Sequence, residues 1–121
     1  MAARIDEPVF VISVAARLVE MHPQTLRKYE REGLVAPSRT VTHLRFYSDQ
    51  NIARLRQVKH LVEQRGLNLA GVQLALEVTR DLRMLRERVE RMSQKDPASD
   101  SLREVAVSIS ELLNQLGYRG D

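Results

Sequence analysis

Residues 22–40 read HPQTLRKYEREGLVAPSRT and carry both ends of a short helix. Pro23 suits the first helical position, where its missing N–H would have had no partner anyway. Gly33 stands where a glycine closes a helix in the left-handed conformation. Indexed at about 100° per residue, Gln24, Arg27, Lys28 and Arg31 share one face, at spacing i, i+3, i+4, i+7. Leu26 and Tyr29 point away from it, toward a core. The helix therefore presents an amide and three cations on one side.

Upstream, VFVI is a short apolar run, and Ser13 is a plausible N-cap. Val14, Ala15, Leu18 and Val19 give an apolar stripe, so a first helix is expected to about Met21. Two short helices joined by so tight a turn make a helix-turn-helix. Residues 1–8 are polar and read as loose. Downstream, the helical period disappears from Leu34 to Tyr47, and Pro37 interrupts it. HLRFY alternates: on a strand, Arg45 and Tyr47 share one face and Leu44 and Phe46 the other. The natural reading is a hairpin, or wing. Ser48 then caps a third helix with the stripe Ile52, Leu55, Val58 or Lys59, and Val62, ended by Gly66. Asn68 caps a short fourth helix with Leu69, Val72 and Leu76.

The last third is different. Val78, Leu82, Leu85, Val89 and Met92 are spaced as a heptad seam. Pro97 breaks the helix. Ser101 and Glu104 form a capping box for another, striped by Leu102, Val105, Ile109, Leu112 and Leu116. Such arms must fold on each other, on a second copy, or both. The expected fold class is mainly α: a winged helix-turn-helix DNA-binding domain over residues 1–77, then a helical coiled-coil dimerisation or regulatory region over 78–121.

The 121 residues are 43% apolar and 29% charged, a globular composition with a formal charge of +3 and a pI near 9.7. Charge is unevenly spread. Between Pro23 and Arg65 nine cations face four anions, a net of +5, which leaves −2 for the rest. A basic block in a near-neutral chain points to a polyanion. Cysteine is absent, which excludes disulfides, thiolate metal sites and thiol redox sensing. His22, His43 and His60 are far apart, so no metal site or cofactor is expected. No transmembrane run or signal-peptide core is read, and the expected location is cytoplasmic. There is no histidine–carboxylate cluster and no Gly-rich phosphate loop, so an enzyme is not expected.

These residues resemble the MerR family of winged-helix transcription regulators, over about residues 10–77. TLRKYEREGL is similar to the family's Thr-Leu-Arg-x-Tyr-Glu-x-x-Gly-Leu, and RFY before the third helix resembles its Arg-x-Tyr wing signature. HPQTLR, GLVAPSRT and GLNLAGV most resemble the family's heat-shock repressors. Two departures stand out: Lys28 where the family often has Tyr, and VTH at the wing tip where glycines are usual. The resemblance implies a bacterial, nucleoid-associated homodimer bound to double-stranded DNA at an inverted-repeat operator. It also implies repression of chaperone and protease genes with a DnaK-type chaperone as co-repressor. The cysteines of the metal- and redox-sensing branches and the ligand domain of the drug-sensing branch are missing, so no small-molecule ligand is expected.

The candidate DNA-binding residues are Gln24, Thr25, Arg27, Lys28, Arg31, Arg45 and Tyr47. Gln24 and Arg27 suit base edges, and Lys28 and Arg31 suit phosphates. Thr25 either caps or touches phosphate. Tyr29 belongs to the core or reaches a phosphate through its hydroxyl. His22 and His43 read as polar surface or N-cap residues. Arg54, Arg56 and Lys59 read as a solvated face, with a phosphate contact as the other option. Val78, Leu82, Leu85, Val89 and Met92 are the candidate dimerisation residues. Two other functions fit the same residues: a nitrogen-metabolism repressor of the same family controlled by glutamine synthetase, and a protein-binding coiled-coil scaffold whose basic face is incidental.

Overall fold

A computed structural model describes residues 7–120, so most of the N-terminal segment expected to be loose lies outside the described residues. The chain divides into two compact units, one to Lys59 and one from His60. Among the described residues no helix is long and apolar enough to cross a membrane.

The first unit runs β1 (Pro8–Val11), α1 (Ile12–Val19), α2 (Pro23–Arg31), β2 (Ser38–Arg39), β3 (Arg45–Ser48) and α3 (Asp49–Lys59). The expected wing is β2 and β3, antiparallel, with Arg39 opposite Arg45. The VFVI run supplies a third strand that periodicity did not reveal. Four apolar residues do not distinguish strand from buried helix, and pairing decides. Here β1 lies antiparallel to β3, with Phe10 opposite Tyr47, in the sheet order β1-β3-β2.

Helix α1 follows β1 directly, so Ser13 is not its cap. Val11 is the N-cap and makes no side-chain capping bond. The helix stops at Val19 because Glu20 adopts a left-handed φ of 57°, and the Met21 N–H bonds Ala16 O at 3.0 Å. That is a Schellman close with glutamate in glycine's usual place. Ala15, Ala16 and Val19 are buried, whereas Leu18 of the expected stripe is exposed. Helix α2 has the predicted ends. His22 Nδ1 accepts the Gln24 N–H at 3.0 Å, Pro23 opens the first turn, and Gly33 has a φ of +77°. Leu26 and Tyr29 are buried. Ser48 caps α3 reciprocally: its Oγ accepts the Asn51 N–H at 3.0 Å, and Asn51 Oδ1 accepts the Ser48 N–H at 2.9 Å.

The second unit opens with a π-helical turn, His60–Gln64, in which the Arg65 N–H reaches His60 O at 3.1 Å. It continues as α4 (Leu69–Lys95) and α5 (Asp100–Gln115). The short fourth helix and the heptad arm are one helix of 27 residues, since neither glycine nor proline interrupts it near Leu76. Asn68 caps it as expected, its Oδ1 accepting the Gly71 N–H at 2.9 Å. Ser99, not Ser101, caps α5. Its Oγ accepts the Leu102 N–H at 3.3 Å, and Asp100 then sits in the first turn, where a carboxylate complements the helix dipole.

Helices α4 and α5 form an antiparallel hairpin. Its core is Val89, Ile109 and Leu113, with Leu82, Leu102, Ala106 and Tyr118 packed around it. The Arg83 guanidinium lies 4.7 Å from the centroid of the Tyr118 ring. Each apolar stripe is therefore split. On α4, Leu82 and Val89 face α5, while Leu74, Val78, Leu85 and Met92 stay exposed. On α5, Val105 and Leu112 stay exposed. At about 100° per residue both exposed sets fall to the same side of the hairpin.

Candidate nucleic-acid interface

The outer face of α2 carries the expected group. Gln24, Lys28 and Arg31 are exposed, and Thr25 and Arg27 are half-buried at its margins. The Lys28 side chain is 63% exposed, with a distant 3.9 Å pair to Glu32. The helix is held by its inward residues, Leu26 and Tyr29, so the cations need no partner in the fold to keep their place. Tyr29 is buried, in keeping with the core alternative for it.

The cations of α3 are engaged elsewhere. Arg54 Nε donates to Leu34 O at 2.9 Å, and Arg56 Nη2 donates to Leu18 O at 3.2 Å. Lys59 Nζ donates to Val19 O and Glu20 O, each at 3.2 Å. Two of the three thus satisfy the carbonyls at the C-terminus of α1, which have no partners within their own helix. They fasten the helix-turn-helix to α3, while Arg54 and Arg56 stay exposed as expected of a solvated face.

Glu30, counted in the sequence only as a charge, joins α2 to the wing. Arg39 Nη2 donates to both of its carboxylate oxygens, at 2.9 and 2.8 Å. Arg45 Nε donates to Oε1 at 2.5 Å. Burial pushes the Glu30 carboxyl up, but the hydrogen bonds from Arg45 and Arg39, with their charges, outweigh it and hold the group below its ordinary value. Arg39 Nη1 also donates to His43 O at 3.4 Å, at the wing tip, where His43 has a φ of 64°. Helix α2, both strands of the wing and its tip are thus tied through one carboxylate.

Arg45 is brought beside α2, but Tyr47 is not at the surface. Its ring is 0% exposed, and its hydroxyl is buried without a hydrogen-bond partner among the described residues. Burial, and then the nearby Glu30 charge, push its pKa up. The alternation that put Arg45 and Tyr47 on one face was sound, but that face turns inward. Arg45 reaches the edge of the core on its long stem, and Tyr47 fills the interior. In this fold Tyr47 is a core residue.

The arrangement is a basic helix face flanked by a two-stranded wing, and it falls within the part of the chain that a known family matches. The family described as "MerR HTH family regulatory protein" matches residues 10–78. The chain belongs to the MerR family. This places it among DNA-binding transcription regulators, with DNA as its partner. Across its length it is similar to a protein named as heat shock protein HspR in Streptomyces coelicolor, 44% identical over 117 residues, covering 94% of this chain and 78% of that protein. It is also similar to the HTH-type transcriptional regulator GlnR of Bacillus anthracis, 34% identical over 73 residues. That match covers 60% of this chain and only 56% of GlnR. The HTH-type transcriptional regulator MlrA of Escherichia coli is 32% identical over 69 residues, 56% of this chain and 28% of MlrA. As a MerR-family member, the chain keeps its basic face on α2 and its wing within the matched residues, and the α4–α5 hairpin lies largely beyond them.

Proposed function

We propose that this MerR-family protein is a repressor of heat-shock chaperone and protease genes, acting as a homodimer on an inverted-repeat operator with a DnaK-type chaperone as co-repressor. The observation that carries the heat-shock reading is the extent of the HspR similarity. It covers 94% of the chain, including α4 and α5, whereas the GlnR similarity covers 60%. A nitrogen-metabolism role would rest on the DNA-binding unit alone, which regulators of many signals share.

On DNA, Gln24 and Arg27 are assigned to base edges and Lys28 and Arg31 to phosphates. Glutamine pairs with adenine and arginine with guanine in the major groove, and a mobile ammonium is sufficient beside a phosphate. Thr25, at the first turn of α2, and Arg45, on the wing, are assigned to the backbone.

The homodimer is supported by the exposed stripe of α4: Leu74, Val78, Leu85 and Met92. A stripe of this kind on a long helix needs a partner surface. Its outer flank carries Glu77 and Asp81 toward the N-terminal end, and Arg88 and Lys95 toward the C-terminal end. Two copies meeting two-fold near Leu85, with their α4 helices antiparallel, would set each acidic half against the other's basic half. A parallel pair would oppose like charges. Two-fold pairing also doubles the reading heads and matches an inverted repeat.

The test is a gel shift with the promoter of a chaperone operon from the source genome. Purified DnaK-type chaperone should tighten the complex, because an effector shifts the equilibrium only by binding the DNA-competent form better. A tenfold effect corresponds to about 1.4 kcal/mol of coupling. An unfolded client should reverse it. Tightening by glutamine synthetase instead would establish the nitrogen reading. Equal binding to promoter and random duplexes would favour the scaffold.

A further inference from the structure

Glu30 is a carboxylate on a helix whose outward face is otherwise built for a polyanion, and a carboxylate there repels phosphate. Its contacts give it another use. Its side chain is 16% exposed, and its two oxygens receive three hydrogen bonds from two arginines of the wing. Arg39 is held by Glu30 at one nitrogen and by the His43 carbonyl at another, so it spans from α2 to the wing tip. Arg45 uses only Nε on Glu30, which leaves its terminal nitrogens without a protein partner among the described residues. Strand β3 is held by its pairing with β1, but the outer strand β2 is only two exposed residues paired with β3, too short to fix the outer edge and tip of the wing against α2 by itself.

We propose that Glu30 is a positioning residue for DNA recognition: it fixes the wing beside α2 before DNA arrives and aims the free edge of the Arg45 guanidinium outward. A wing fixed in advance loses less freedom on binding, and this favours the one DNA geometry that fits helix and wing together. Non-specific binding, which rests on charge, gains nothing from it. The inference rests on the reading of α2 and the wing as the DNA-contacting surface.

This assignment predicts effects of opposite sign for one substitution. Removing a negative charge from a DNA-binding face should strengthen binding if charge were all that mattered. Glu30→Gln keeps the size of the side chain, removes the charge, and cannot hold two guanidiniums. The probes are a duplex enriched by the wild-type chain from a random library, and a scrambled duplex of the same length. Glu30→Gln should bind the enriched duplex at least about tenfold more weakly, yet bind the scrambled duplex equally or more tightly. Arg39→Ala, which leaves the half-buried carboxylate in place, should also lower the ratio of enriched to scrambled affinity. In the double variant that ratio should fall no further than in Glu30→Gln alone, because that change already breaks the tie that Arg39 makes. Tighter binding of both duplexes by Glu30→Gln, with the ratio kept, would overturn the proposal and leave Glu30 a plain electrostatic brake. Independent, multiplying losses of the ratio would overturn it too. If the wild-type chain enriches no duplex at all, the DNA-reading assignment itself fails, a result distinct from either.

Discussion

Gly117 lies directly against His60. A Cβ on Gly117 would sit 2.7 Å from His60 Cδ2 and 3.0 Å from His60 Cβ, and the Gly117 φ is +80°. The imidazole is itself held, its Nε2 lying 3.1 Å from Gln115 O. Gly117→Ala therefore meets both a left-handed backbone and a ring with little room to retreat. A loss of about 1–3 kcal/mol is expected in denaturant unfolding. Gly33 is the control, with a φ of +77° and nothing within 4 Å of an added Cβ. Gly33→Ala should show only the conformational part, about 1 kcal/mol. Equal losses at the two sites would mean that the His60 contact contributes nothing.

Val89 is 6% exposed and Leu85 is 43% exposed, although both belong to one heptad seam. The two should therefore fail differently. Leu85→Asp with Met92→Asp puts charges into the face assigned to the second copy. This variant should become monomeric by light scattering and keep its helical circular dichroism. Val89→Asp buries a carboxylate in the core of the hairpin, a far larger penalty, and should melt α5 away from α4. If the Leu85/Met92 variant remains dimeric, that stripe is not the dimer contact.

These outcomes mark how far the sequence carries. Local signals were readable: Pro23 and Gly33 fix both ends of α2, and Asn68 caps α4. So was the order of helix-turn-helix, wing and long helices. What failed depended on residues distant in the chain. The strand Pro8–Val11 exists because β3 pairs with it, and nothing within its four residues requires that. Heptad spacing groups Leu82, Leu85 and Val89 on one stripe but says nothing about which neighbour covers each. Alternation placed Arg45 with Tyr47 but could not say that their side faces Glu30 and the core. The role of Glu30 needs residues 30, 39 and 45 together, and only the fold supplies that.

Acid should weaken the tie between Glu30 and the wing. The Glu30 carboxyl is held below its ordinary value of 4.5 by Arg45 and Arg39, against the opposing effect of burial. A group with a depressed folded pKa contributes stability that is fully present above its unfolded value and is lost as pH falls through its folded value. The difference in unfolding free energy between wild type and Glu30→Gln should thus be constant from neutral pH to about 5 and shrink at lower pH. A difference independent of pH down to 2 would show that the ion pairs add no stability of their own.

The assignments on α2 separate by how each residue would act. Arg27 is half-buried at the edge of the face, so less of its side chain is free to wander than that of an exposed cation. Arginine discriminates guanine by two parallel hydrogen bonds, so Arg27→Ala should weaken binding to the enriched duplex by about 1–3 kcal/mol and relax one base position. Lys28 is open, with a distant 3.9 Å pair to Glu32. It suits a phosphate, so Lys28→Ala should weaken enriched and scrambled duplexes alike and flatten the slope of log affinity against log salt by about one. Selection from a random library with each variant, together with a salt titration, checks both. The same uniform loss for Arg27→Ala, with no change in the selected sequence, would move Arg27 from the bases to the backbone. Gln24, on the same exposed face one turn earlier, would then be left as the base-reading residue of α2.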